Sequence, residues 1–198
     1  KMFPESSFKV YPFAPALAFF DRVFVSVDAA FKDKATSSFV VIQLWGIKGA
    51  RAFLLDQVRE QMDFVRTITE LLQLRRKYGT AIGAWYIEDK ANGPAIMAAL
   101  AGAIPGMVPV EVKGSKVARA AAVQPFVAAG NVWIPSPERA PWVRAFLDEL
   151  STFPAGAHDD QVDALSQALE QAWLSGAVVA GDLELDVASL LTANRWRI

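Results

Sequence analysis

Five carboxylates occur where an apolar run ends or where a helical pattern begins: Asp28, Glu88, Asp159, Asp160 and Asp163. Carboxylates that gather at one point repel one another unless a cation neutralises them. The chain has no cysteine and a single histidine, which excludes a thiolate or multi-histidine zinc site. Ligation by oxygen alone is typical of hard ions. If the five acids converge, they predict a site for Mg²⁺ or Mn²⁺.

Each acid also has an ordinary structural explanation. Asp28 would only close a strand, Glu88 would pair with Lys90 across a turn, and aspartates in a first helical turn would stabilise the helix dipole. His158, which stands before two aspartates, is better explained as a loop residue than as a ligand. The order of the acids favours the shared site, because it places them at two strand ends and one helix start.

Two buried strands must bring Asp28 and Glu88 together. Residues 22–28 and 81–88 are apolar at almost every position, which indicates strands that are covered on both faces. Side chains that leave the C-terminal ends of adjacent strands converge on one edge of an α/β sheet. Similar patterns predict four more strands, at residues 38–45, 51–58, 108–112 and 131–134.

Helical periodicity predicts the remaining elements. The predicted helices span about 63–78, 93–100, 116–129 and 141–150, and residues 158–165 open a last helix. The first three strands follow one another through short turns, with residues 46–49 as a hairpin, so they form an antiparallel meander. We therefore expect an α/β fold in which a central mixed sheet begins with this meander and carries helices on both faces.

Length and composition indicate one domain with short additional segments. The 198 residues are 53% hydrophobic and 21% charged, so the chain can bury a sizeable core. We expect residues 1–20 to be a linker or an irregular draped segment, residues 21–175 to be the domain and residues 176–198 to be a tail. No apolar run reaches the roughly 18 residues that cross a bilayer, so we expect a soluble intracellular protein without a membrane partner.

Three motifs carry a resemblance to a known family. They are Ser-Val-Asp-Ala-Ala at residues 26–30, Tyr-Ile-Glu-Asp-Lys-Ala-Asn-Gly at 86–93 and His-Asp-Asp-Gln-Val-Asp-Ala-Leu at 158–165. In order and spacing they resemble the nuclease domain of the large terminase subunit of tailed bacteriophages, a member of the ribonuclease H-like superfamily. The resemblance covers roughly residues 20–175 and implies a ribonuclease H-like fold.

The resemblance implies a metal-dependent endonuclease that cuts concatemeric double-stranded viral DNA during genome packaging by two-metal-ion hydrolysis. Asp28, Glu88 and Asp160 would be catalytic and would help to hold two Mg²⁺ or Mn²⁺ ions. Related resolvases resemble this chain at Asp160 and Asp163, so these two rank first in the third motif. Asp159 is the reserve ligand, because a helical wheel anchored on the apolar positions of the last helix places Asp159 and Asp163 nearer its buried face.

In the complete family protein this domain follows a packaging ATPase. The chain contains no Gly-x-x-x-x-Gly-Lys-Ser/Thr loop, so we expect it to be the nuclease part of a longer protein. The resemblance further implies a portal and a small terminase subunit as partners, and the host cell cytoplasm as location. Two alternatives stay open: a Holliday junction resolvase-like nuclease, and a non-catalytic assembly relative on the same fold.

Binding to double-stranded DNA would need local positive charge, because the net charge of -1 supplies no attractive field. Basic residues near the acidic motifs and in the segment around 113–119 are candidates for phosphate contacts: Lys34, Lys90, Lys113, Lys116 and Arg119. Phosphate contacts set affinity and salt dependence without reading sequence. The alternative is that these side chains are ordinary solvated charges.

Overall fold

Within the described residues, a seven-stranded mixed sheet forms the frame of the domain. The structure is a computed structural model that describes residues 1–29 and 39–174. The strands are β1 (Lys9–Tyr11), β2 (Arg22–Asp28), β3 (Val40–Lys48), β4 (Arg51–Glu60), β5 (Ala84–Glu88), β6 (Met107–Val110) and β7 (Val132–Pro135). They lie side by side in the order β1-β7-β4-β3-β2-β5-β6.

The directions of the strands confirm the predicted meander. β2 pairs with β3 and β3 with β4, both antiparallel. The pairs of β2 with β5, β5 with β6, β4 with β7 and β1 with β7 are parallel. β2 therefore has the meander on one side and a parallel neighbour on the other, which puts it near the middle of the sheet.

In the described part of the chain, five α-helices cover the two faces of the sheet: α1 (Phe64–Tyr78), α2 (Gly93–Leu100), α3 (Lys116–Ala128), α4 (Trp142–Thr152) and α5 (Asp160–Leu169). Leu71 of α1 and Ile96 of α2 pack in one core with Val25. Phe24, whose side chain leaves the opposite face of β2, packs in a second core with α3, α4 and α5. This arrangement confirms the predicted α/β fold with helices on both faces. Among the described residues, no helix combines the length and apolarity needed to cross a membrane.

Local sequence signals explain why the helices begin where they do. Asp63 precedes α1 and its carboxylate accepts a hydrogen bond from the backbone N–H of Arg66, and Ser115 caps α3 through Ala118 in the same way. Basic residues occupy the last turn of α1 and Gly79 follows it with a positive φ of 61°.

The N-terminal segment, which we expected to be irregular, contributes both a strand and core residues. β1 extends the sheet by pairing with β7. Phe3 is fully buried, and the ring of Phe8 meets that of Phe146 edge to face at 6.0 Å. The hydroxyl of Tyr11 donates to the carbonyl of Leu54 at 2.6 Å. A strand of three residues is too short to show a period-two pattern, which is why the sequence did not reveal it.

The predicted hairpin at 46–49 is wrong at its first residues. β3 continues to Lys48 and the turn lies at Gly49 and Ala50. Gly46 pairs with Val23 inside the sheet, and a Cβ at Gly46 would lie 2.6 Å from the ring of Phe20. Glycine is therefore required here by close packing rather than by a turn.

Other predicted bounds shift by a few residues. β5 begins at Ala84, because residues 79–81 form a 3₁₀ turn, and β6 runs over 107–110 rather than 108–112. Ser38, the first residue predicted for the second strand, and the predicted tail at 176–198 lie outside the described residues.

Replacing Phe3 by Ala tests whether the N-terminal segment is part of the folded domain. Truncating a fully buried Phe should lower the free energy of unfolding by about 3–5 kcal/mol. Phe13→Ala is the matched control, because Phe13 is 70% exposed and its ring contacts the guanidinium of Arg139 at the surface. Urea unfolding of both variants measures the difference. Equal small losses would show that the segment does not contribute to the core.

Candidate active site

Asp28 and Glu88 end two adjacent parallel strands. The register of β2 and β5 pairs Val27 with Ile87, and the next residue on each strand is the acid. The two carboxylates therefore leave the sheet at the same edge, as the sequence predicted. The C-terminal edge of parallel strands is where ligands bind in α/β sheets.

Helix α5 brings the third motif to the same edge. It packs against β2 and β3, and its first turn carries Asp160 and Asp163, both of which are buried. Asp159 precedes the helix and is the most exposed of the three aspartates, with 39% of its side chain accessible. The helical wheel placed Asp160 away from the buried face, but Asp160 is buried as well at the start of α5, a helix on which α4 packs.

Asp28 is the most perturbed carboxylate of this group. It is 6% exposed, and among the described residues its Oδ1 has no hydrogen-bond partner. Burial, together with the smaller effects of the negative charges of Asp163, Glu88 and Asp160, raises the pKa of Asp28 to about 8 against the opposing effect of Lys116. The deprotonated form of Asp28 is therefore unfavourable in the absence of a cation.

Two basic side chains of α3 neutralise Asp163. The ammonium of Lys116 lies 2.6 Å from Oδ2 of Asp163, and the guanidinium of Arg119 lies 2.6 Å from its Oδ1. Lys116 also contacts Oδ1 of Asp159 at 2.6 Å. Burial lowers the pKa of Lys116, but its hydrogen bonds to Asp159 and Asp163 outweigh that effect and raise the pKa above its ordinary value. Lys116 therefore stays charged at any physiological pH.

The predicted DNA contacts fall into different environments. Lys116 and Arg119, which we expected to meet phosphates, pair instead with the acids of the third motif, and the Arg119 side chain is only 11% exposed. Lys113 is exposed and lies 3.1 Å from Glu111. Lys90 is exposed in the turn that follows Glu88, and Lys34 lies outside the described residues. For all five residues, contact with DNA stays a prediction.

Asp160 has a pKa above its ordinary value. Burial is the largest cause, and the charges of Glu149 and Asp159 add to it, whereas Lys116 and Arg59 oppose it. Nδ1 of His158 is 4.0 Å from Oδ2 of Asp160, which is beyond hydrogen-bond distance. The ring of His158 instead meets that of Phe39 edge to face at 5.2 Å.

A buried acid that the sequence analysis did not select fixes the start of α5. Glu149 of α4 accepts hydrogen bonds from the backbone N–H of Gln161 at 2.6 Å and from its Nε2 at 2.7 Å. The guanidinium of Arg59 lies 3.0 Å from the same carboxylate. Glu149 thus caps α5 from a neighbouring helix, and Asp159 makes no side-chain cap. The sequence signal that could have revealed Glu149 is its place as an acid on the apolar face of an amphipathic helix, beside Phe146 and Leu150.

The donor chemistry of this edge fits a hard divalent cation. The acids offer only carboxylate oxygens, and the buried, partnerless Oδ1 of Asp28 requires a positive group to stabilise its ionised form. In residues 1–29 and 39–174, however, no three acidic or histidine side chains are close enough together to form a complete metal site. Both oxygens of Asp163 contact basic side chains, so a cation would compete with Lys116 and Arg119 for that ligand.

Comparison with known proteins identifies the family. Residues 25–172 match the model of the Terminase RNaseH-like domain, a span that contains every acid described above. The chain belongs to this family. No curated protein matches it.

Solved structures of terminase nucleases share the fold of this terminase domain. The large terminase nuclease of the thermophilic phage G20c, with bound zinc, is 19% identical, with a TM-score of 0.61 over 84% of this chain and 95% of that one. The nuclease domain of the phage SPP1 large terminase, with bound manganese, is 14% identical, with a TM-score of 0.61 over 86% and 99%. The large terminase of another thermophilic bacteriophage is 13% identical, with a TM-score of 0.63 over 86% of this chain, and the match covers 44% of that protein's length.

Replacing Asp28 by Asn should make the metal-free terminase domain more stable at high pH. Because the pKa of Asp28 is raised from 3.8 to about 8, the folded protein holds the proton more tightly than the unfolded chain. The contribution of Asp28 to wild-type stability is then greatest below about pH 4 and falls by at most about 1.4 kcal/mol per pH unit as the pH rises towards the folded pKa. Asn cannot titrate and removes this dependence. Urea unfolding in chelator across this pH range measures it, and parallel pH profiles for the two proteins would contradict it.

Replacing Gly93 by Ala should displace the end of β5. Gly93 begins α2, and a Cβ there would overlap the backbone carbonyl oxygen of Glu88. Since that oxygen belongs to the backbone, relief requires the strand end to move, at a cost of about 1–3 kcal/mol. Gly102→Ala is the control, because a Cβ at Gly102 has open space. Urea unfolding and Mn²⁺ titration should both show a loss for Gly93→Ala alone; unchanged Mn²⁺ binding would show that the position of Glu88 does not matter.

Proposed function

We propose that this terminase domain is a metal-dependent endonuclease that cleaves double-stranded DNA concatemers of a tailed phage or prophage during genome packaging. The observation that carries the proposal is the Asp28 carboxylate, which is buried, has no partner for Oδ1 in the described part of the chain and is surrounded by Glu88, Asp160 and Asp163. A buried carboxylate in this state needs a cation to be ionised. Membership of a nuclease family supplies the reaction class.

Asp28 and Glu88 would hold the metal together with Asp160 and Asp163. Asp159 remains the reserve ligand, because it is more exposed and bound to Lys116. Related terminase nucleases have been solved with zinc, manganese and magnesium, which supports a divalent ion without selecting one. Two bound divalent ions would supply a water of lowered pKa as nucleophile and would stabilise the negative charge on the leaving oxygen.

The residues of this chain prepare the site in three ways. Burial of Asp28 lowers the local dielectric constant and strengthens its attraction for a cation once its proton has left. Lys116 and Arg119 restrict the position of the Asp163 carboxylate through their ion pairs, although they must give up part of their contact when a metal binds. Glu149 caps α5 so that the acids of its first turn do not have to serve as caps.

Binding to DNA would rest on exposed basic residues beside the site. Lys90 follows Glu88 closely in the chain, and Lys113 stands on the loop before α3. Such residues contact phosphates, so we expect binding and cleavage to be largely independent of sequence and to be suppressed by salt. The chain covers 44% of the length of one solved large terminase. From the family we therefore propose a packaging ATPase domain in the same protein, the portal and the small terminase subunit as partners, and the host cell cytoplasm as location.

The proposal is tested by incubating plasmid DNA with the protein in Mn²⁺, Mg²⁺, Ca²⁺ or excess chelator. Mn²⁺ accepts less ideal geometry than Mg²⁺ and should support at least as much cleavage. Ca²⁺ should bind without supporting turnover, because its larger coordination shell places the attacking water poorly. Asp28→Asn and Glu88→Gln should each reduce the cleavage rate by at least about 100-fold, the scale of losing a metal ligand or an electrostatic catalytic group.

Asp21→Asn is the matched control for these two variants. Asp21 is an exposed acid that precedes β2, at the opposite end of the strand from Asp28, and it pairs with Lys48 at 2.7 Å. The Asp21→Asn variant should cleave DNA at the wild-type rate. Undiminished cleavage in chelator, or equal rates for Asp28→Asn and Asp21→Asn, would show that the acidic edge is not the active site. Comparing linear with four-way-junction DNA separates the terminase assignment from a junction resolvase.

A further inference from the structure

A buried amide on α5 contacts both strands that carry acids. Gln167 is 6% exposed, and the two N–H groups of its Nε2 are shared among three acceptors: Oγ of Ser26 at 2.9 Å, the carbonyl of Tyr86 at 3.2 Å and the carbonyl of Val27 at 3.3 Å. Ser26 and Val27 belong to β2, and Tyr86 belongs to β5. One side chain therefore joins a helix to two neighbouring strands.

Ser26 completes this connection. Its side chain is fully buried, and besides accepting from Gln167 its hydroxyl donates to the carbonyl of Ala164 at 3.0 Å. Ser26 also pairs directly with Tyr86 in the register of β2 and β5. We refer to the two polar side chains, Ser26 and Gln167, as the clamp.

The clamp lies directly below the acids. Val27 immediately precedes Asp28, Tyr86 stands two positions before Glu88, and Ala164 follows Asp163. In a helix, residues four apart lie on the same face, so Gln167 is one turn below Asp163. The three elements that supply the candidate ligands, β2, β5 and α5, are therefore joined by the clamp within about one helical turn of the acids.

Apolar packing alone would not fix this position well. Apart from Gln161, whose Oε1 accepts a hydrogen bond from Gln57 of β4 at 2.7 Å, the face that α5 presents to the sheet is mainly apolar, including Val162, Leu165 and Leu169. Such contacts are non-directional and depend weakly on small displacements along the helix axis. Hydrogen bonds act only within a narrow range of distance and angle, so a satisfied buried set specifies one position. A shift of one residue along the helix is about 1.5 Å, which is large against a metal–oxygen distance of about 2.0–2.6 Å.

We propose that Ser26 and Gln167 are positioning residues, which hold α5 at the height on β2 and β5 where Asp160 and Asp163 meet Asp28 and Glu88. The proposal rests on the metal site of the proposed function. Neither residue touches metal or DNA. Their loss should weaken metal binding by about 10-fold or more, as is typical when a group that orients metal ligands is removed.

The test is Mn²⁺ binding, followed by electron paramagnetic resonance without DNA, in Ser26→Ala and Gln167→Met. Ser166→Ala is the matched control for Ser26→Ala, because Ser166 is equally buried and among the described residues its Oγ has no hydrogen-bond partner. We expect the clamp variants to bind Mn²⁺ at least about 10-fold more weakly and Ser166→Ala to bind it like wild type. The Mn²⁺ concentration for half-maximal cleavage should rise by the same factor.

A second control separates positioning from stability. Leu169→Ala removes a fully buried apolar side chain from α5 but leaves the clamp intact. It should lower the urea midpoint at least as much as Ser26→Ala does, while its Mn²⁺ affinity stays within about twofold of wild type. If Mn²⁺ affinity falls equally in Leu169→Ala and in the clamp variants, the clamp acts only through stability and the proposal is wrong. An unfolded Ser26→Ala variant would overturn it as well, since the clamp would then be a condition of folding.

Asp28→Asn distinguishes failure of this inference from failure of the proposed function. If Asp28→Asn loses Mn²⁺ binding while both clamp variants keep it, the metal site stands and the positioning role is wrong. If Asp28→Asn binds Mn²⁺ as tightly as wild type, the metal site itself is wrong and the clamp has no ligand to position.

Discussion

The repulsion among buried carboxylates at one edge of the sheet is the interaction on which the site depends. Asp28 is desolvated and is repelled by the negative charges of Asp163, Glu88 and Asp160, so ionisation of Asp28 is energetically unfavourable without a compensating cation. The fold tolerates this cost because apolar packing elsewhere is extensive, with two cores on either side of the central strands. A protein with no use for a cation would gain stability by replacing Asp28 with an uncharged residue.

Some of the acids at and near the site have basic partners, and Asp28 does not have one for its Oδ1 among the described residues. Lys116 and Arg119 neutralise Asp163 from α3. Arg59 neutralises Glu149 beneath the start of α5, and Gln161 donates a hydrogen bond to the same carboxylate. Asp28 receives no such partner for its Oδ1 within the described parts of the chain. The structure therefore compensates the acids that hold the helix in place and leaves the strand-end acid uncompensated, which is the pattern expected where a ligand supplies the missing charge.

Much of the fold and the adjacency of the two strand ends that carry Asp28 and Glu88 could be predicted from the sequence. Two strands that are apolar on both faces and end in acids predict adjacent buried strands, and β2 and β5 are adjacent and parallel. What could not be predicted depends on contacts between distant residues. Arg119 meets Asp163 across 44 positions and Gln167 meets Ser26 across 141, and neither distance leaves a periodic mark in the sequence. β1 could not be predicted because three residues are too few to show a periodic pattern. The strand position of Gly46 could not be predicted because the need for glycine comes from close packing against the ring of Phe20.

The most direct measurement of the central claim is the titration of the Asp28 carboxyl by carbon-13 nuclear magnetic resonance, with and without Mg²⁺. In the metal-free protein we expect a pKa of about 8, because burial and the neighbouring carboxylates favour the protonated form. Saturating Mg²⁺ should lower that pKa by several units, because a bound cation stabilises the ionised carboxylate and displaces its proton. An ordinary carboxyl pKa in the metal-free protein, or a raised pKa that Mg²⁺ leaves unchanged, would contradict the account.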